Sequence, residues 1–506
     1  MKAIESSEWV IDGALTVWEP SAQMTEAPKH TPTDPTPPSF LQKDHIRGVL
    51  TQRQAGNTHR AYTCAVATLP GPLNTEAMTV AVNNFVRSHE GLRSTFVVNT
   101  DTAGGQGADA DAPDAAADKA SGGQPEFGGA SVERRTVPSS AIDLVPRVLA
   151  EAPDRDQRSD QPGEKNSADG TGGTTANDIL NDYLPTHAVF DHFPGFVIGA
   201  VDKGKSCEVF YAVDHAFGDG LSLCVGILEL MARYTGTPAP GLVEDSHPSF
   251  VEYTREEYQR AAAVTPDSPG AKLMQEFVQV TGGAPRFPLL TGIKDNEPQP
   301  VKETQPDFTL ADADDVKILR SLAHENGVSF STVVFALLAL AEHKAAKTSR
   351  YSTIVVNSTR GKKYATSQGW FCNFNPLTFD IKGETFDEIL PTVAQAQQNM
   401  REVLYEPVHA SIMPLLAAGA VDASIFDSPQ LVTYMDLSWF TEPQGSNIRL
   451  LTGTGKTKNA SLWVFRNPDG LFVGSQAPDN PVAAESLRTF FHAFREAVQD
   501  AVAGRQ

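Results

Sequence analysis

Apolar positions recur along this chain at two spacings, and the change from one to the other sorts it into strands and helices. The run AYTCAVATL (61–69) is nearly continuous in apolar and β-branched residues and predicts a strand. A helix follows, with Asn74 as its cap, Met78, Val82, Phe85 and Val86 on one face, and Gly91 at its end. Strands are predicted at 92–98, 195–201 and 207–213. The spacing turns helical again at Leu221, with Cys224, Val225, Leu228 and Met231 completing the stripe. Helices near 249–263 and 270–280 lead into a Pro-rich crossover at 285–305. The second half repeats the mixture: helices at 312–325, 329–345, 385–404 and 481–502, strands at 352–357 and 430–435, and a hairpin over 461–475 turning at 467–470. The apolar helix over 329–341 is predicted core.

This is an α/β chain of mixed α+β type, without regular βαβ alternation. Its 506 residues exceed one ordinary core, so we read two lobes, 1–265 and 266–506. The pattern lapses in three places. Residues 19–38 are rich in Pro and Thr and read as an extended N-terminal arm. Residues 100–130 and 152–177 are rich in Gly, Ala and Asp, with too little apolar surface to offset ordering entropy, and read as disordered acidic insertions.

The formal charge of −21 repels phosphate backbones, which argues against nucleic acid as a partner. Four scattered cysteines form no CxxC pair, so reduced thiols are expected rather than disulfides or zinc. The N-terminus lacks a continuous apolar segment, and the longest apolar run is about half of the ~20 residues that a membrane span needs. A cytoplasmic protein is expected, able to sit peripherally at the inner face of the cell membrane, with a monomer as the default state.

One constellation carries chemistry. His215, Asp219 and Gly220 form His-x-x-x-Asp-Gly directly after a predicted strand and directly before a predicted helix. An imidazole there serves as a general base near neutral pH. Asp219 can hold the loop by capping the helix and pairing with a buried Arg, and Gly220 leaves room for substrate. The same spacing also fits a hydrogen-bonded histidine at a strand end beside an ordinary cap. Trp370 and Asn373 are candidates to line a substrate channel, or else a core aromatic and a strand-capping amide. His45 is either at the channel floor or on a helix surface. The stretch TGTGKT (452–457) has Leu450 where a phosphate loop needs its first Gly, so it reads as a turn between strands. No GxSxG elbow is present, and no HExxH or paired His spacing suggests a metal site.

Several segments agree, in order, with one family. Residues 88–96 (SHEGLRSTF) resemble the RHExLRTxF segment of condensation domains, residues 211–222 their HHxxxDG segment, and residues 368–377 (QGWFCNFNPL) their G-x-F-x-N-T-x-P-L segment. PPSFLQKDHIR (37–47), QGWF (368–371) and the Asp479-Asn480-Pro481 stretch are similar to the stand-alone branch, the polyketide-associated acyltransferases. Asp214 stands where the first His of HHxxxDG would be, and no DFGWG occurs.

The resemblance implies two chloramphenicol-acetyltransferase-like lobes in a V, with the active site at their interface. It makes His215 the base, Asp219 an orienting residue in a salt bridge, and Gly220, Trp370, Asn373 and His45 the substrate-side residues. It implies transfer of a long acyl chain from a thioester, on coenzyme A or a polyketide synthase or carrier protein, to a hydroxyl of trehalose, acyl-trehalose or a related glycolipid. No cofactor is implied beyond the acyl thioester, and a lipid transporter at the membrane is a further candidate partner. Two other readings stand beside it: a non-catalytic recruitment module, and an amide-forming condensation enzyme.

Overall fold

The computed structural model describes residues 1–5, 8–57, 62–99, 131–152, 175–294, 301–304, 307–421, 425, 428–452 and 455–504. Two large sheets carry the architecture. The first runs, edge to edge, through Lys2–Glu5, Arg449–Thr452, Tyr62–Pro70, Ser206–Asp214, Phe196–Asp202, Ala14–Pro20 and Leu144–Ala150. The second runs through Cys372–Asp380, Arg350–Ser358, Leu431–Asp436, Ser461–Asn467, Gly470–Pro478, Val301–Thr304 and Lys456–Thr457, with Asp307–Asp312 also paired to Gly470–Pro478.

In the first sheet, Tyr62–Pro70 pairs antiparallel with Ser206–Asp214 along its whole length, from Tyr62 opposite Asp214 to Pro70 opposite Ser206. Ser206–Asp214 is buried on both faces, which explains its continuous apolar pattern in place of alternation. Helix Gly220–Thr235 packs back along this sheet, burying Leu223, Cys224, Ile227 and Leu230 in its core. At the far end Tyr234 Oη accepts a bond from the Asn74 amide, so the helix runs the length of the sheet.

In the second half, helix Phe330–Ala346 buries all of Val333–Leu338, as its apolar pattern predicts, beneath Phe386–Glu402 and Pro481–Ala503. Among the described residues no single helix is long and apolar enough to cross a membrane. The pair Ala313–Glu325 and Phe330–Ala346 passes by length and composition only when joined, and it bends by 107° with its second helix in the core.

Three expectations need correction. Residues 19–38 are not an extended arm: Ala14–Pro20 is a strand, and Ala22–His30 is a helix capped by Ser21 that buries Met24. The Pro-rich crossover contains the strand Val301–Thr304. Most of both acidic insertions lies outside the described residues, but Thr175 caps the helix Ala176–His187, so 175–177 are ordered backbone. The second half also supplies a strand to the first sheet, since Arg449–Thr452 pairs parallel with Lys2–Glu5 and antiparallel with Tyr62–Pro70.

Candidate active site

Strand Ser206–Asp214 ends one residue before His215, and Asp219 starts the next helix by accepting the Ser222 amide at 2.7 Å. The turn between them sets His215 against a cavity of about 1950 Å³. One wall of this cavity is helix Gly220–Thr235, and the other is the face of the second sheet that carries Thr433, Met435, Ser461 and Trp463. The His215 ring is half-buried, and its Nδ1 is sealed from solvent. Nε2 is therefore the nitrogen presented to the cavity. Burial and the neighbouring His45 ring hold the His215 pKa below its ordinary value, against the opposing pull of Asp214, Asp219 and the Gly218 backbone.

Asp219 ties the two halves together. Arg360, from the second half, donates to Asp219 Oδ1 at 2.6 Å, and the Phe371 amide donates to Oδ2 at 3.0 Å. The Arg360 guanidinium also donates to the carbonyls of Tyr364 and Ser367 and lies over the Phe371 ring. Ser222 donates to the Gly369 carbonyl and accepts from its amide, while Gln368 donates to the Ser222 carbonyl. This lattice delivers Trp370 to the site. Its ring lies 5.0 Å from the His215 ring, centroid to centroid, and lines the same cavity.

Helix Phe40–Gln54 supports the imidazole from behind. Gln42 donates to the Ala216 carbonyl at 2.6 Å, and His45 Nε2 meets Asp214 Oδ1 at 2.8 Å. The backbone is thus gripped on both sides of His215. His45 stands one layer behind the His215 ring, 6.3 Å away between centroids, and is packed against Trp370 rather than placed on the cavity wall. Asn373 also departs from the channel expectation. Its amide donates to the Leu404 and Glu406 carbonyls and accepts from the Val408 amide, bracing the chain before helix Val408–Ala417. Its strand neighbours Cys372 and Phe374 face the cavity, so Asn373 points the other way. Gly220 does line the cavity, opposite Met435.

The segment SHEGLRSTF has a structural use beneath the site. A Cβ on Gly91 would lie 2.5 Å from the Gln368 carbonyl oxygen, so these two segments fit only because position 91 is Gly. Gly369, at φ +155°, similarly abuts Phe250, whose ring a Cβ would meet at 2.2 Å. His89, Glu229 and His247 gather below, with ligand atoms within 4.8 Å of one another, a trio that sequence spacing does not reveal. Arg233 already places its guanidinium on the Glu229 carboxylate at 2.7 Å. A second cation there would face like charge, so the trio reads as a buried ion-pair network.

The sequence reading missed Arg360, Ser222, Gln42 and the pairing of Gly91 with Gln368. Only Gln42 carried a local signal, since Ser39 followed by Gln42 is a capping box.

No family model matches the chain. Over 96% of its length it is 25% identical to the 2'-acyl-2-O-sulfo-trehalose (hydroxy)phthioceranyltransferase PapA1 of Mycobacterium tuberculosis, covering 85% of that protein. It is 23% identical to acyltransferase PapA3 of the same organism, covering 96% of this chain and 93% of that one. Among solved structures, PapA2 acyl transferase superposes with a TM-score of 0.81 at 19% identity, over 99% of this chain and 100% of that one. The condensation domain of the Monacolin K polyketide synthase MokA superposes with a TM-score of 0.63 at 14% identity, over 92% and 97% of the two chains. These likenesses bear out the chloramphenicol-acetyltransferase-like fold expected from the motifs. By near-full-length sequence likeness and by fold, the chain is a relative of the Pap-type acyltransferases, built on the condensation-domain framework.

Proposed function

We propose that the chain is an ester-forming acyltransferase that moves a long acyl group from a thioester to a hydroxyl of trehalose or an acylated, trehalose-type glycolipid, for cell-envelope lipid synthesis. The observation that carries the reading is the His215 ring opening onto one cavity walled by both halves, where burial favours its uncharged form. His215 Nε2 accepts the proton of the sugar hydroxyl as that oxygen attacks the thioester carbonyl. The C–S bond then breaks, and the imidazolium returns its proton to the departing sulfur, leaving an ester and a free thiol. No acyl-enzyme and no cofactor is needed. Asp219 acts as a positioning residue, holding the turn and, through Arg360, the loop that brings Trp370 to the ring.

The acceptor side of the cavity carries Ser358, Thr433, Ser461, Gln476 and Trp463, an aromatic face with hydrogen-bonding neighbours that suits a sugar. The named relatives include acyltransferases of sulfated and acylated trehalose, which supports that acceptor class. Coenzyme A is our choice of donor carrier, with a polyketide synthase or carrier protein as the competing arm, and a peripheral position at the inner membrane face fits such substrates.

The test is product mass after incubation with trehalose or acyl-trehalose and a long-chain acyl coenzyme A. His215→Ala should lower ester formation by about 10²–10⁴-fold with an unchanged melting temperature. Undiminished turnover in that variant would sink the proposal. An amide product from an amine acceptor, without any ester, would transfer it to the condensation enzymes.

A further inference from the structure

We infer that one face of helix Gly220–Thr235 is the acyl-chain subsite, and that its length measures the chain. The inference rests on the acyl-transfer reading and gives that site a donor specificity. Leu221, Val225, Leu228, Ala232 and Thr235 all line the cavity. Their spacing places them on a single stripe of the helix, which begins beside His215. The helix ends near Asn74, at the opposite end of the first sheet. Apolar groups continue the lining across from this stripe, with Met435 facing Gly220 and Phe465 and Leu450 also on the wall. Trp439, 80% exposed, lines the same cavity together with Phe440 and Pro238.

The stripe offers no hydrogen-bonding side chain until Thr235, whose hydroxyl already donates to the Met231 carbonyl. A sugar laid along it would lose its hydrogen bonds to water without replacement, whereas an alkyl chain would lose nothing and leave water. Across the cavity the second sheet presents Ser358, Thr433, Ser461, Ser475 and Gln476, so that wall suits the sugar and the helix stripe suits the chain.

From Gly220 to Thr235 the helix rises about 22 Å at 1.5 Å per residue. A fully extended alkyl chain advances about 3.8 Å per three bonds, so this length takes about eighteen carbons. Ala232 stands about 18 Å along, or about fifteen carbons, and Leu228 about 12 Å, or about ten.

The experiment is a chain-length profile of the full chain with saturated acyl coenzyme A donors from eight to twenty carbons. Ala232→Phe should keep the octanoyl rate within about twofold and lose tenfold or more beyond about fifteen carbons. Leu228→Phe should move that break down by about five carbons, a little more than one helical turn. Retained octanoyl turnover shows that each variant is folded. If Leu228→Phe does not fold, Thr235→Trp, at an exposed position, should place the break near eighteen carbons.

A parallel arm reads binding without turnover. In the His215→Ala chain, calorimetry should show that Ala232→Phe weakens palmitoyl coenzyme A at least tenfold and leaves octanoyl coenzyme A unchanged. That arm keeps the two claims apart, because it does not depend on His215 being the base. A profile that none of these substitutions moves, or binding lost equally for short and long donors, overturns the ruler.

Discussion

Replacing Asp219 by Asn tests how the two halves hold each other. The Asp219–Arg360 pair is nearly inaccessible, with side-chain exposures of 6% and 4%, and its partners meet at 2.6 Å. Asn retains a carbonyl oxygen for the Ser222 amide, so the helix cap survives. The carboxylate charge is lost, however, leaving the Arg360 guanidinium buried without its counter-ion, and the Phe371 amide loses its acceptor. Removing one member of a buried ion pair costs about 3–5 kcal/mol, because the remaining charge stays desolvated. We expect Asp219→Asn to destabilise the chain by about 3 kcal/mol. Arg360→Gln should cost less, since the Ser222 and Phe371 amides still stabilise the Asp219 carboxylate. The double variant leaves no unpaired charge, so its loss should fall short of the summed single losses by about 2 kcal/mol. Urea unfolding of all four chains, followed by near-UV signals from tryptophan, measures that coupling directly. Single losses that add to within about 0.5 kcal/mol would show that the pair does not lock the halves together.

Other outcomes follow from single positions. A Cβ on Gly220 would meet only the Met435 sulfur, at 3.6 Å, so Gly220→Ala should leave both stability and turnover near wild type. Gly220→Leu should fill the gap beside His215 and lower turnover more than tenfold at an unchanged melting temperature; full activity in that variant would remove Gly220 from the substrate path. Burial pushes the Glu257 pKa up to about 7, against the pull of His409, the Phe40 amide, Arg260 and Lys43. Between about pH 4.5 and 7 the folded chain therefore keeps a proton that the unfolded chain has released, so stability falls as pH rises through that window and levels off above it. The effect is at most about 3 kcal/mol, and Glu257→Gln, which can still accept from Phe40, should abolish that slope and raise stability at pH 8; an unaltered slope in urea midpoints at pH 5 and 8 would refute the assignment.

Local features of the site were legible because they are local. His215, Asp219 and Gly220 are close in sequence, and a strand end followed by a helix start is visible in the apolar pattern. The partners that give them meaning are far away: Arg360 is 141 positions from Asp219, and Gln42 is 174 from Ala216. Composition misled at residues 22–30, where Pro and Thr suggest an arm. Ser21 nevertheless caps a helix there, and Pro28 sits in its last turn. Strand Cys372–Asp380 also escaped, since CNFNPLTFD alternates poorly and contains Pro376. It is an edge strand, where a missing amide is tolerated. Asn373 drew attention as a polar residue in a motif, but a buried amide with two donors and an acceptor serves equally well to brace backbone carbonyls.

The motif segments co-occur because they touch. Gly91 lies against Gln368, Gly369 against Phe250, and Asp219 against Arg360, so SHEGLRSTF, the His-x-x-x-Asp-Gly turn and QGWF are three sides of one packed joint. Within that joint His215 presents its imidazole to the cavity, while Arg360 and Asp219 are spent on each other and on backbone. Substitutions should divide along the same line. Truncating His215 removes a proton acceptor from a half-exposed ring and leaves the joint intact, so rate falls while stability stays. Adding a Cβ at Gly91 or Gly369 drives backbone or ring apart by more than the joint can absorb, so stability falls first and rate follows it. The motif is therefore mostly a device for building an interface, and the chemistry proposed for it rests on one imidazole held at the seam.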